Sequence, residues 1–195
     1  MKRLLIILMT FPLIVLSQQT FVPDDNFELA LIGMGYDNFL DDYVLTSNIS
    51  SMTYLNVGGH NIQDMTGVED MLGLITLYCD QNQITSLDVS NLIYLENLGC
   101  GCSCSGGNLL TSLDISQNIR LKWLQCEQNS ISSLDLSNNL LLESLEIGWN
   151  PITALNVSAN VSLKFLDAYN FPLATLTSID VTNNSNLEVL NIGSN

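Results

Sequence analysis

The residues best suited to hold a cation in this chain are aspartates that recur between small hydroxyl residues. Asp88, Asp114 and Asp135 each lie in a segment of the type Ser-Leu-Asp-x-Ser, and Asp180 lies in the related segment Ser-Ile-Asp-Val-Thr. Asn156 takes the corresponding place in another copy. If the segments stack as strands about 4.8 Å apart, neighbouring carboxylates repel one another. We favour the interpretation that serine side chains and solvent form hydrogen bonds with these carboxylates. The alternative is that calcium ions bind along the row.

Cysteine and histidine, the other residues that could do chemistry, indicate structural roles. Cys79, Cys100 and Cys126 occupy corresponding inward positions, which favours buried thiols that act as small hydrophobes. Cys102 and Cys104 lie in a glycine- and serine-rich stretch, so we expect an exposed loop with a disulfide or free thiols. C-x-C lacks the spacing of a zinc knuckle. The chain has one histidine, His60, and no nucleophile with a base in a recognisable frame, so we predict no enzymatic activity.

Aromatic and acidic residues at outward positions form the candidate binding site. We expect Tyr78, Trp123 and Phe165 to align across successive coils, where one flat partner could touch several. The partner would be a protein or a glycan. The candidate binding residues are Tyr78, Asp80, Trp123, Gln125, Glu127, Glu146, Trp149, Phe165, Asp167 and Tyr169.

The element that must position these residues is a repeat. Leu121, Leu142 and Leu163 begin copies at a spacing of 21 residues, and further copies begin at Leu74, Leu95 and Leu187. Each copy reads L-x-x-L-x-(C/I/A)-x-x-N-x-I. A fixed period of this kind is typical of a stacked solenoid, in which no coil can bury its apolar side alone.

This pattern resembles the leucine-rich-repeat family, in which a short strand is followed by an asparagine turn. The resemblance runs from about Met52 to the end and is closest to secreted bacterial proteins of the internalin-like kind. It implies that the outward face of the strands is the usual binding surface.

A second half-motif lies within each copy, for example from Ile131 to Asn139. We therefore predict a mainly β repeat solenoid with two short parallel strands per coil, Leu124 and Cys126 facing inward from one wall and Leu134 and Leu136 from the other. Asparagine side chains should pair the turns of neighbouring coils. The predicted ladders are Asn82, Asn129, Asn150 and Asn170 on one side, and Asn118, Asn139, Asn160 and Asn184 on the other.

The N-terminal region departs from the repeat. Residues 1–17 combine Lys2 and Arg3 with an apolar run and Ser17, as a signal peptide does. The run is too short for a membrane span. Residues 18–50 should form a helical cap, with Asp24, Asp25 and Asn26 at a helix N-terminus. The solenoid would occupy 51–195, its C-terminal end uncapped or truncated.

Charge narrows the function classes. The formal net charge is −15, and the chain has five basic residues. Nucleic-acid binding is excluded because no basic patch replaces phosphate counterions. The leading hypothesis is a secreted or cell-surface binding module without enzymatic activity. It would need no cofactor, although calcium is a possible ligand. The alternatives are a passive spacer or calcium-binding segment of a larger surface protein and, less favoured, a glycan-active enzyme.

Overall fold

The computed structural model describes residues 18–102, 106–170 and 175–194, and its core is one long parallel sheet. The sheet has seven strands, which are β3 Tyr54–Asn56, β4 Thr76–Tyr78, β5 Asn97–Gly99, β6 Trp123–Gln125, β7 Ser144–Glu146, β9 Phe165–Asp167 and β11 Val189–Asn191. They pair in the order β11-β9-β7-β6-β5-β4-β3. The predicted solenoid of stacked parallel strands is confirmed.

The middle residue of each strand explains why the coils stay in register. Leu55, Leu77, Leu98, Leu124, Leu145, Leu166 and Leu190 pair with one another in sequence along the sheet. The first six are fully buried. A slip of one residue would turn this leucine row outward, so the hydrophobic effect fixes the register.

The opposite wall is less regular than the two-strands-per-coil prediction. Its inward residues, including Leu134 and Leu136, are buried as expected. In the described residues a parallel ladder forms there only between β8, Leu155–Asn156, and β10, Ile179–Asp180. The carbonyl of Leu136, for example, accepts the Asn139 backbone N–H and the Asn160 side-chain amide, both at 3.1 Å. Tight turns and asparagine amides thus take carbonyls that a second ladder would use.

Two asparagine ladders hold the edges of the coils together. Asn129 is representative of the first: its amide nitrogen donates to the carbonyls of Cys100 and Cys126, and its oxygen accepts the Leu110 N–H at 3.0 Å. Asn108, which the sequence reading missed, makes the equivalent bonds one coil earlier. The second ladder consists of Asn118, Asn139, Asn160 and Asn184, as predicted.

The N-terminal segment contains two short strands and two helices ahead of the seven-stranded sheet. It contains β1 Gln19–Phe21, α1 Asp25–Gly33, β2 Tyr43–Leu45 and α2 Thr46–Ile49, and a 3-10 helix follows at Val68–Asp70. Strands β1 and β2 are antiparallel. Asp24 accepts the N–H groups of Asn26 and Phe27 with one oxygen and those of Gln63 and Asp64 with the other, so the helix start is tied to the first coil. Phe27 and Leu31 are fully buried.

Candidate binding face

The outward surface of the seven-stranded sheet, called here the sheet face, presents two rows of side chains because residues on either side of the buried leucine point away from the core. One row contains Tyr54, Thr76, Asn97, Trp123, Ser144, Phe165 and Val189. The other contains Asn56, Tyr78, Gly99, Gln125, Glu146, Asp167 and Asn191.

The predicted alignment of Tyr78, Trp123 and Phe165 is therefore wrong in part. Trp123 and Phe165 share a row, with Ser144 between them, whereas Tyr78 lies in the other row. The mistake was to treat the outward positions as one column, although each strand has two.

Tyr78 nevertheless contacts Trp123, because the strand between them offers a glycine. The two rings meet edge to face, with centroids 5.7 Å apart, above Gly99. A Cβ at Gly99 would lie 2.8 Å from Tyr78 Cδ1 and 3.3 Å from Trp123 Cζ3. Tyr54 extends the strip, with its ring 5.9 Å from Tyr78. The sequence reading missed Tyr54, although it precedes Leu55 as Trp123 precedes Leu124.

Acidic side chains follow the aromatic strip on the next strands. Glu146 and Asp167 are direct register neighbours on β7 and β9. Glu146 accepts the Trp123 indole N–H at 3.2 Å and the Gln125 amide at 3.1 Å. Asp167 accepts the Tyr169 backbone N–H and the Asn191 amide, both at 2.9 Å. These neutral donors fix the carboxylates in place without cancelling their charge.

Glu127, predicted as an outward binding residue, is instead buried, with 3 % of its surface exposed. The chain at Gly101 and Gly107 packs against the backbone of Glu127 and Gln128, so closely that a Cβ at either glycine would collide with it. Burial, followed by the charges of Glu146 and Asp167, raises the pKa of Glu127 from 4.5 to about 7. Its carboxylate still faces this acidic group and accepts the Gln125 amide at 3.4 Å.

The second position after the end of each strand alternates between glycine and a larger residue along the sheet. The sequence is Gly58, Asp80, Gly101, Glu127, Gly148, Tyr169 and Gly193. Asp80, Glu127 and Tyr169 are thus about 10 Å apart, or two strand spacings. Tyr169 also contacts Trp149, with ring centroids 5.8 Å apart, so the last two predicted aromatics form a second pair at this edge. Both rings are partly exposed.

The opposite edge of the sheet face has a different charge pattern. The residues that precede successive strands alternate in charge, and backbone hydrogen bonds join each to the next. They are Glu96, Lys122, Glu143, Lys164 and Glu188. Lys122 bridges to Glu96 at 2.8 Å, and Lys164 bridges to Glu143 at 2.6 Å. Arg120 lies 5.0 Å from the ring centroid of Tyr94, outside the sheet face.

The aspartates predicted as possible metal ligands build turns on the second wall. One carboxylate oxygen of Asp88, Asp114 and Asp135 accepts the N–H of Ser90, Ser116 and Ser137 respectively, each at 2.9 Å. Asp180 does the same with Thr182. Hydrogen bonds from these hydroxyl residues lower the pKa of all four carboxyls. Among the described residues, the acids that bring three ligand atoms within 4.8 Å of one another are Glu28, Asp37 and Asp41 in the N-terminal segment.

Glu28 in that group is itself an anchor for the chain. It is fully buried, and its carboxylate accepts the backbone N–H groups of Asp41, Asp42 and Tyr43 at 3.0–3.2 Å. Its oxygens are thus used to hold the segment that leads into β2.

The cysteines divide as the sequence analysis predicted, with one correction. Cys79, Cys100 and Cys126 are free and fully buried, and burial raises the pKa of each thiol, so they are poor nucleophiles and metal ligands. Cys102 was expected to be exposed but is buried at 8 %, and it is disulfide-bonded. The adjacent Gly101 packs against the backbone of Glu127 in the next coil. Cys104 lies outside the described residues.

Two other predicted features can be placed. His60 is exposed at a turn, where its Nδ1 lies 2.9 Å from the Gly58 carbonyl oxygen. No helix within the described ranges is long and apolar enough to cross a membrane. The predicted signal peptide, residues 1–17, lies outside those ranges.

Comparison with known proteins gives a local sequence match and a fold match. No family model matches the chain. Internalin J of Listeria monocytogenes serotype 4b (strain F2365) is 34% identical over 74 residues, which is 38% of this chain and 8% of that protein. The chain therefore spans less than a tenth of the length of this curated relative.

Among solved structures, an internalin (InlF) of Listeria monocytogenes str. 4b F2365 aligns with a TM-score of 0.57 and 19% identity, covering 90% of this chain and 77% of that one. The leucine-rich-repeat ectodomain of the Arabidopsis thaliana receptor kinase GASSHO1/SCHENGEN3, solved in complex with CASPARIAN STRIP INTEGRITY FACTOR 2, aligns with a TM-score of 0.56 and 19% identity over 76% of this chain and 19% of its own. These two matches establish the leucine-rich-repeat fold.

Proposed function

We propose that this internalin-like leucine-rich-repeat protein is an exported, non-enzymatic module that binds another protein through its sheet face. The observation that carries the proposal is the strip formed by Tyr54, Tyr78 and Trp123, whose rings contact one another on the outside of a rigid sheet. Large aromatic side chains held in place lose little conformational entropy on binding, and they are the residues most often found at the centre of protein interfaces.

The hydrogen bonds around the strip support the same conclusion. The Trp123 indole is held by Glu146, and Gln125 bonds both Glu146 and Glu127. The polar groups beside the aromatic rings are thus oriented before a partner arrives, which reduces the cost of association. The plant receptor of the same fold was solved with a bound factor, which is consistent with a role for this fold in recognition.

Export rests on the N-terminal sequence alone. Lys2, Arg3 and the apolar run that ends before Ser17 have the form of a signal peptide. We therefore place the protein outside the cell or on its surface, where a glycan would be the alternative partner. A passive spacer remains the competing function, and it needs no aromatic strip.

A paired substitution tests the proposal. The full chain and its Trp123→Ala variant are screened against arrays of surface proteins and glycans, and affinities for the hits are measured by interferometry. Removing a central aromatic residue costs about 2 kcal/mol or more, so we expect affinity to fall roughly 30-fold or more.

Tyr94→Ala is the matched control, because Tyr94 is an exposed aromatic residue outside the sheet face. We expect it to bind as the unchanged protein does. Equal binding by both variants would place the interface elsewhere. Hits confined to the glycan array would replace the protein partner with a sugar, and an absence of hits on both arrays would support the spacer.

A further inference from the structure

We infer that the segment bound by the sheet face is extended and positively charged, with an arginine or lysine side chain placed beside Trp123 and over Glu146 and Asp167. This inference rests on the proposed function and specifies its partner. It follows from where the chain places its charges.

The first step is that the acidic side of the sheet face has no countercharge. Glu146 and Asp167 are neighbours on adjacent strands, and the carboxylate of Glu127 faces the same group. Across the described residues, the cations are Arg120, Lys122 and Lys164, and each is engaged elsewhere. Like charges side by side on a sheet are unfavourable, and a bound cation removes that cost.

The second step is the contrast with the other edge of the same sheet. There, lysines alternate with glutamates, and the Lys164–Glu143 contact lowers the pKa of Glu143 and raises that of Lys164. The chain therefore compensates its acids along one edge of each strand and leaves them uncompensated along the other. Within this sheet, negative charge is crowded along the edge that adjoins the aromatic strip and balanced along the other.

The third step is that neutral hydrogen bonds already orient these carboxylates. Asp167 receives one backbone N–H and one amide, and Glu146 receives an indole N–H and an amide. These donors leave the negative charge of both groups intact. An arginine or lysine of a partner would supply the charge-assisted bonds that the chain does not make for itself.

The fourth step concerns the shape of the cation. Trp123 donates its indole N–H to Glu146, so a cation resting on the Trp123 ring is within reach of that carboxylate. The sheet-face acids are absent from the described acidic groups whose ligand atoms lie within 4.8 Å of one another. Side chains that project from one face of an extended strand at intervals of about 7 Å could meet these acids in turn.

The test uses a synthetic probe of defined charge. A blocked ten-residue peptide of alternating arginine and threonine is titrated into the full chain by calorimetry, and the same peptide with glutamate in place of arginine is the negative probe. The sheet-face variant is Glu146→Gln with Asp167→Asn. Asparagine occurs naturally in that row at Asn56 and Asn191, where it accepts the corresponding backbone N–H, so the fold should tolerate the change.

The matched control is Asp114→Asn with Asp135→Asn on the second wall, which changes the net charge by the same amount. Asn156 already fills this position in another coil and bonds the Ser158 N–H at 3.0 Å. We expect the sheet-face variant to bind the arginine peptide about tenfold more weakly and the control to bind less than twofold more weakly.

Equal weakening in the two double variants would show attraction to net charge alone and would overturn the inference, as would equal affinity for the two peptides. The proposed function is judged separately. If Trp123→Ala abolishes binding of an array partner but the Glu146→Gln and Asp167→Asn double variant still binds it, the sheet face does bind a partner. The prediction that this partner is positively charged would then be wrong.

Discussion

Glu127 shows how packing changes the role of a residue that the repeat pattern places on the surface. Counting from Leu124 puts it outside the core, but the glycines of the preceding loop lie against its backbone and exclude water. The chain here keeps a carboxyl group that is easier to protonate than usual, with a pKa of about 7. The protonation state of Glu127 therefore changes near neutral pH.

Replacing Glu127 with glutamine should change the dependence of stability on pH. The folded-state pKa lies above the ordinary value of 4.5, so between about pH 4.5 and 7 the folded state binds more protons than the unfolded state. The unchanged protein should then lose stability relative to Glu127→Gln as pH rises through this window, by roughly 2 kcal/mol.

Urea unfolding of both proteins at pH 4.5, 6, 7 and 8 measures this effect. The aspartates with lowered pKa values act below this window, because their contribution is lost only as pH falls below about 4. A constant difference between the two proteins from pH 4.5 to 8 would contradict a raised pKa at Glu127.

At the scale of the element, the strands were predictable and the edges less so. Leu-x-x-Leu spacing places a strand around each of Leu77, Leu98, Leu124, Leu145 and Leu166, because burial on one side imposes a period of two. Asn108 was missed because an insertion separates it from Cys100, although Asn108-x-Leu110 repeats Asn129-x-Ile131.

The sequence predicted which residues lie on the binding face better than it predicted which of them contact one another. Trp123, Glu146 and Asp167 lie outward as expected, whereas the contact of Tyr78 with Trp123 depends on Gly99, which lies on the strand between them. The burial of Glu127 comes from Gly101 and Gly107, which pack against the backbone of the neighbouring coil. A repeat pattern specifies contacts between equivalent positions and carries no information on such packing.

The two asparagine ladders should contribute unequally to stability. Asn129 satisfies one N–H and three carbonyls, whereas Asn139 donates to two carbonyls and its buried oxygen has no hydrogen-bond partner. An unpaired buried polar group costs about 1–3 kcal/mol. Asn129→Ala should therefore lower the free energy of unfolding by roughly 3 kcal/mol or more, and Asn139→Ala by about 1–2 kcal/mol.

Urea unfolding at pH 7 compares the two variants. Both remove the same atoms from buried sites, so the loss of packing is similar and the difference reports the hydrogen bonds. An Asn139→Ala variant that is as destabilised as Asn129→Ala would mean that its unpaired oxygen costs nothing in the folded protein.

At the scale of the whole molecule, the solenoid separates two surfaces with different chemistry. The sheet face varies from coil to coil, from aromatic to acidic, and the second wall repeats the same serine and aspartate turn. Variation along a rigid frame suits recognition, because each coil can meet a different part of one partner. Repetition suits a structural role, since the same local bond recurs wherever the chain must turn.

The effect of calcium on the melting temperature distinguishes a structural role of the second wall from a role in cation binding. Each aspartate there uses one oxygen to accept a backbone N–H, so the turns are satisfied without an ion. Self-repulsion in a chain of net charge −15 should make any salt stabilising. We therefore expect calcium chloride and sodium chloride at equal ionic strength to raise the melting temperature alike, to within about 1 °C, and a chelator to leave it unchanged. Site-specific binding would instead add several degrees, since 1 kcal/mol corresponds to about 2–4 °C in a chain of this size. Asp114→Asn with Asp135→Asn would abolish that extra rise if the ion sat on the second wall, and a rise of this kind would assign the aspartate row to cation binding in place of turn formation.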